Sequence, residues 1–230
     1  MVYTGYASKN TSNAAFTYSR CTLGFYNEYL LPHLIDLACG TAPISEQRAK
    51  IVPLASGRVL EVGMGSGHNL QFYDPGRVEF VWGLEPSHGM RMRAEPKLAR
   101  SPVEVHWLDL PGERIPLADD SVDTIVLTYT LCTIPDPGAA LAQMRRVLKP
   151  EGRLLFCEHG AAPDAAVRRW QDRLNGSWRC MGGGCNLNRD VPQLLTKGGF
   201  DIVRIDSMYL PGSPRFVGFN CWGEARPAAG

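Results

Sequence analysis

The chain has no block of like charge. Its 24 Lys and Arg stand against 23 Asp and Glu over 230 residues, for a formal net charge of +1. The long-range field that nucleic-acid binders use is therefore missing, and no nucleic-acid partner is expected. Its seven cysteines (21, 39, 132, 157, 180, 185 and 221) include no C-x-x-C pair, so the spacing signature of a structural metal site or redox dithiol is absent. No metal-ligand set is assigned, and the scattered thiols read as reduced, in a cytoplasmic protein. No apolar run approaches the roughly 20 residues of a membrane span. The opening "MVYTGYASKNTSNAAF" lacks a signal-peptide core. No integral membrane segment is expected, although a peripheral contact stays open. The dinucleotide fingerprint G-x-G-x-x-G is missing too. In "EVGMGSGHN" (61–69) the third glycine comes one residue early and position 68 is histidine.

What is present is an ordinary folded composition, 44% hydrophobic and 20% charged. Residues 1–20 are small and polar and read as a flexible tail; 21–56 read as a helical cap, 57–224 as the main domain, and 225–230 as a C-terminal tail. "LGFYNEYLLPHLIDLA" has helical spacing, with Pro32 predicting a kink or a second helix that starts there. From Arg58 onward strands alternate with helices. "RVLEVG", "EFVWGLEPS", "VEVHWLD", "SVDTIVLTYTLCTI" and "RLLFCEHG" read as strands, and "HNLQFY" as the start of a helix. "GMRMRAEPKLAR" reads as a helix broken at Pro96, and "GAALAQMRRVLKPEG" as one stopped by Pro150 and Gly152. This alternation predicts a Rossmann-like α/β doubly wound sheet. After the helix "AVRRWQDRLNGSW", whose Trp170 and Trp178 read as core, two final strand-like runs predict a terminal hairpin with no helix between them.

Ligands of open α/β sheets bind beyond the carboxyl ends of the strands, near the point where strand order reverses. Residues 61–69 lie there. Glu61, two residues before the first glycine, would repel a phosphate but suits a cationic ligand. Glu85, in "GLEPS", stands where such folds bind ribose hydroxyls, and a carboxylate accepts two O–H bonds well. A cationic amino acid, a ribose and no phosphate together describe S-adenosylmethionine.

"VLEVGMGSGHN", "GLEPS", "IPLADDSVDTIVLTYTLCTIPDP" and "ALAQMRRVLKPEGRLLFCEHG" resemble the ordered motifs of class I S-adenosylmethionine-dependent methyltransferases, over about residues 57–160. The resemblance implies a seven-stranded, mostly parallel sheet with an antiparallel last strand. It also implies that Glu61 and Gly63, Met64, Gly65 and Gly67 line the methionine part of the cofactor, with Asn69 beside them. By the same resemblance Glu85, next to Pro86, holds the ribose, Gly112 and Glu113 flank adenine, and Thr128 ends near the sulfonium. Many relatives carry an Asp where Pro111 stands, so adenine falls to backbone near Gly112, to Glu113, or to a shifted Asp109.

"EHG" followed by "WQDRLN..W......GGCNLNRD" resembles the thiol methyltransferase-like subgroup, whose animal members carry a membrane-anchoring N-terminus; bacterial phospholipid N-methyltransferases share the lead-in and "LCTIPD". A thiol acceptor is mostly protonated at neutral pH, so a nearby base or cation helps. His159 stands at the end of the fifth strand as candidate general base, with Glu158 to orient it or to bind a cationic acceptor. Phe25 and Tyr29 are candidates for covering the acceptor. So are Cys132, Cys185, Asn186 and Arg189, the last three in a loop with hinge glycines at 182–184. The expected function is methyl transfer to a small-molecule acceptor, foremost a thiol or hydrogen sulfide. The alternatives are N- or O-methylation of a phospholipid headgroup, natural product or other small molecule, methylation of arsenite, and a non-catalytic cofactor-binding module.

Overall fold

The computed structural model describes residues 30–228; Phe25 and Tyr29 lie outside them. Two helices come first, α1 (Leu31–Cys39) and α2 (Ala42–Ile51). The domain then runs β1 (Gly57–Val62), β2 (Val78–Leu84), α3 (His88–Leu98), β3 (Val105–Leu108), β4 (Val122–Thr128), α4 (Pro137–Val147) and β5 (Leu148–His159). It closes with α5 (Ala165–Met181), α6 (Val191–Lys197), β6 (Phe200–Tyr209), the one-turn α7 (Arg215–Gly218) and β7 (Phe219–Pro227). The seven strands lie in the order β3-β2-β1-β4-β5-β7-β6. All neighbours are parallel as far as β5, and β7 is antiparallel to both β5 and β6. Strand order reverses between β1 and β4, which opens the ligand crevice at their carboxyl ends.

The parallel strands are covered on both faces, so their sequences are apolar nearly throughout. One face packs Leu60, Ile125, Leu127, Leu154 and Phe156 under Leu141 and Met144 of α4. The other packs Val59, Val81, Val126 and Leu155 under Ile51, Val52, Leu70 and Tyr73. Side chains alternate between faces along a strand. Glu61 and Thr128 share parity with Val59 and Val126, and His159 with Leu155. All three therefore stand on the α2 side of the sheet, while Glu158 shares the α4 side with Phe156.

Several elements differ from the sequence reading. "HNLQFY" makes only a 3₁₀ turn at Leu70–Phe72, because Asn69 and Tyr73 are drawn down to Glu61. Helix α3 continues through Pro96, which sits so near its end that little helix remains to lose. Helix α4 stops at Val147 and Leu148 already begins β5, so Pro150 and Gly152 fall inside the strand's irregular entry rather than ending the helix. α1 is described from Leu31 with Pro32 in its first turn; the residues that decide between a kink and a new helix lie outside the described ones. The last strand passes the boundary drawn at 224: Ala225 pairs with Leu154 and is fully buried. α7 intervenes between the hairpin strands, and Trp170 is 56% exposed rather than core. No helix among the described residues is long and apolar enough to cross a membrane.

Candidate active site

Beyond Val62 the chain turns sharply. Gly63, Gly65 and Gly67 all have left-handed φ (+68°, +59° and +77°), a region open to glycine at no steric cost. A Cβ at Gly63 would lie 2.2 Å from the Thr130 side chain, so loop and β4 exit approach backbone to side chain. Thr130 Oγ1 donates there, to Gly63 O at 3.2 Å. Met64 sends its side chain into the core, leaving only its backbone to the loop. Glu85 clamps the loop to the end of β2, accepting from Gly65 N at 2.9 Å and Ser87 N at 2.8 Å. Burial raises its pKa against those two N–H bonds. Pro86 beside it is exposed.

Under the loop lies a buried polar network. Glu61 accepts from Tyr73 Oη at 2.7 Å and from Asn69 Nδ2 at 2.9 Å. Burial pushes its carboxyl up to about 7, in spite of those bonds and the nearby Arg48. Asn69 Nδ2 also donates to Thr128 Oγ1 at 2.9 Å. Arg48 of α2, itself only 6% exposed, donates to Asn69 Oδ1 at 2.9 Å and to Thr128 Oγ1 at 2.6 Å. The network thus joins three predicted residues, Glu61, Asn69 and Thr128, to two that sequence reasoning missed, Arg48 and Tyr73. A single arginine in a polar helix carries no spacing signal; only the packing of α2 on the sheet shows where it points.

The adenine end departs more from expectation. Gly112 is buried against Val62, Ile134 and Ala140. Glu113 accepts from Asp136 N at 3.1 Å and is turned to the start of α4. Asp109 is held bidentately by Arg91, at 2.5 and 2.8 Å.

Asp36 fastens α1 to this assembly. It accepts from Ser66 Oγ (2.5 Å), Arg93 Nη2 (2.8 Å) and Lys97 Nζ (3.3 Å), with His68 Nε2 at 2.9 Å. Burial raises its pKa, but these donors outweigh burial and hold it at about 2, below the usual 3.8. The charged form is favoured in the folded state, so the stabilisation is complete above about pH 4 and is lost as pH falls towards 2. It is worth about 2 kcal/mol. Asp36→Asn is expected to cost that much at pH 7, with the gap to wild type shrinking as the pH approaches 3, measured by urea unfolding at a series of pH values.

On the other side of Thr128, Tyr129 takes a left-handed φ of +55°, strain of the kind that gathers at functional sites. The following turn is tied to β5: Glu158 Oε1 accepts from Thr130 N at 2.8 Å and Leu131 N at 3.0 Å, while its Oε2 is buried without a partner among the described residues. Burial pushes Glu158 up to about 7. Glu158 thus does not orient His159; it stands on the opposite face of the sheet and anchors the β4 exit. His159 instead has Nε2 3.1 Å from Cys185 Sγ, and Trp178 Nε1 donates to the same sulfur at 3.4 Å. Burial lowers the His159 pKa, but Cys185 and Glu158 more than reverse that. Cys185 is held well below the ordinary thiol range, first by the Cys132 thiol and then, against burial, by His159 and Trp178. Trp178, read as core, instead joins this cluster through Cys185.

The loop after α5 is not poised as a hinge. Asn186 donates from N and Nδ2 to Cys132 O, both at 2.9 Å, and Arg189 Nη1 donates to Leu131 O. Leu31 of α1 lies against Gly183, 2.7 Å from where a Cβ would stand. The glycines serve a left-handed turn packed under the cap. Asn186 and Arg189 hold the backbone that carries Cys132.

The general description of a methyltransferase domain matches residues 60–156. The chain is 36% identical over 179 residues to the human thiol S-methyltransferase TMT1B, covering 71% of each chain. It belongs to the class I S-adenosylmethionine-dependent methyltransferases of the thiol methyltransferase-like type. The human thiol S-methyltransferase TMT1A is 32% identical over 176 residues, 73% of this chain and 69% of the relative. Among solved structures, YcgJ of Bacillus subtilis superposes with a TM-score of 0.64 at 17% identity, over 80% of this chain and 99% of that one, which speaks for the fold alone.

As a methyltransferase the chain uses S-adenosylmethionine, and the crevice fits that molecule. A Cβ at Gly65 would meet little beyond Met90 Cε at 3.2 Å, so the turn is open there; carboxylates stand at both ends of it, and Arg48 Nε is buried with no partner among the described residues, an open donor of the kind native structures keep for a ligand.

Proposed function

We propose that this methyltransferase acts on the sulfur of a small apolar thiol or of hydrogen sulfide. The observation that carries the reading is the lining beyond Thr128: Cys132, His159 and Cys185 gather there, and the nearest carboxylate, Glu158, has one oxygen committed to Thr130 and Leu131 and is buried at the other. An amine acceptor would want a free carboxylate to hold its ammonium; a thiol wants a soft, poorly hydrated surface with N–H donors. The names of the two human relatives point the same way.

In this reading Arg48 takes the carboxylate of the cofactor's methionine part, Glu61 its ammonium, and Glu85 the ribose diol. Backbone near Gly112 borders adenine. Bound S-adenosylmethionine supplies a methyl group on a sulfonium, already a good leaving group. The protein's task is then alignment and exclusion of water. Tyr129 and Thr130 fix the floor between the two halves, and His159 with Cys185 receives the acceptor sulfur. Methyl transfer from labelled cofactor to a panel of alkanethiols, hydrogen sulfide, amines, phenols and phospholipid headgroups tests it. Turnover confined to the sulfur acceptors is expected; turnover of amines or phenols without thiols would overturn the assignment.

A further inference from the structure

Cys132, His159 and Cys185 come from three separate places in the chain: the turn after β4, the end of β5 and the loop after α5. Yet one ligand atom from each lies within 4.8 Å of the other two. Around a tetrahedral zinc ion, bonds of about 2.3 Å to sulfur and 2.0–2.1 Å to nitrogen set S···S edges of about 3.8 Å and S···N edges of about 3.5 Å. The His159–Cys185 pair, at 3.1 Å, and the 4.8 Å limit on the others bracket those edges, so side-chain adjustments of about 1 Å close the site.

The surroundings are those of a supported site rather than a chance meeting of thiols. Trp178 donates to Cys185 Sγ. Asn186 grips the carbonyl of Cys132 twice, and Arg189 holds the preceding carbonyl of Leu131. Hydrogen bonds of this outer kind orient ligands and matter to affinity almost as much as the ligands themselves. The group has three members among the described residues, and three protein ligands with a fourth position open is the pattern of catalytic zinc, whereas structural zinc takes four. Two sulfurs and one imidazole select zinc over the harder cations.

We propose that Cys132, His159 and Cys185 bind one zinc ion whose open position takes the acceptor sulfur. This rests on the thiol reading above and deepens it. Two thiolates and a neutral imidazole balance the charge of the ion. An incoming thiol loses its S–H proton to solvent, and the electron pair left on sulfur forms the Zn–S bond. No oxidation state changes, and the sulfur keeps lone pairs for the methyl carbon. The site escaped the sequence reading because its ligands are 27 and 26 residues apart in order, outside any metal-binding spacing.

The test is cobalt substitution of the full chain, with Cys132 and Cys185, both free thiols in the structure, first confirmed reduced by thiol titration. One equivalent of Co²⁺ should give a sulfur-to-cobalt charge-transfer band and the strong visible bands of four-coordinate cobalt, and ethanethiol should shift both. Cys132→Ser and Cys185→Ser should each lower the charge-transfer band by about half or more at wild-type circular dichroism, while Cys221→Ala, outside the cluster, should keep it whole. Wild-type protein that is folded, with Cys132 and Cys185 reduced, but gives no such band would overturn the site; a band that ethanethiol leaves unmoved would overturn the open position. A band shifted by ethanethiol in a protein that methylates no thiol would refute the thiol-transfer reading and leave the metal site standing.

Discussion

His159→Ala is expected to lower thiol methylation by about 100-fold or more at saturating cofactor, with affinity for S-adenosylhomocysteine unchanged. His159 ends β5 on the α2 face, 3.1 Å from Cys185, and makes no bond to the buried network of Glu61, Asn69, Thr128 and Arg48. On the proposed function, removing the imidazole strips the acceptor side of its nitrogen donor and leaves the cofactor cradle whole. Steady-state kinetics with calorimetry on the same preparation reads both halves. An undiminished rate would remove His159 from the site. A parallel loss of cofactor binding would show that the two sides are not separate.

Arg48→Ala is expected to have the reverse signature, weakening cofactor binding by about 100-fold, the effect of truncating one partner of a buried charge pair. Arg48 stands over the crevice with Nη1 committed to Asn69 and Thr128 and Nε without a partner among the described residues. Its guanidinium lies 5.0 Å from the Tyr129 ring centroid, between the proposed cofactor cradle and the proposed acceptor side. Arg48→Lys keeps the charge but not the planar fork and should recover only part of the affinity. Unchanged affinity for S-adenosylhomocysteine in Arg48→Ala would assign the arginine to holding Asn69 and Thr128 in place and nothing more.

The two residues differ in how far the sequence announces them, and the reason is physical. Glu61, Gly63, Gly65 and Glu85 are readable because the constraint on each is local: a strand end, a turn with positive φ, the next strand end. His159 is readable for the same reason, since it closes a strongly apolar strand. Arg48 is invisible because its role comes from α2 folding across the sheet, and the 10 residues of that helix show almost no apolar face. Trp178 was misplaced because a helical stripe of tryptophans looks the same whether it meets core or site. Glu158 was given a partner on the wrong side: adjacent strand residues point to opposite faces, so it was bound to turn away from His159. The loop at 182–189 illustrates a further limit. Three glycines in a row suggest freedom, but the bonds from Asn186 and Arg189 to the β4 exit, and α1 against Gly183, can be seen only in three dimensions.

A crystal structure with S-adenosylhomocysteine bound tests the central claim most directly, that one crevice holds the cofactor on the Arg48 side and the acceptor sulfur on the Cys132, His159 and Cys185 side. The account predicts the homocysteine carboxylate on Arg48, the ribose diol on Glu85, and the cofactor sulfur turned past Thr128 and Tyr129 towards His159. A cofactor sulfur facing away from His159, or a carboxylate that leaves Arg48 bonded only to Asn69 and Thr128, would contradict it.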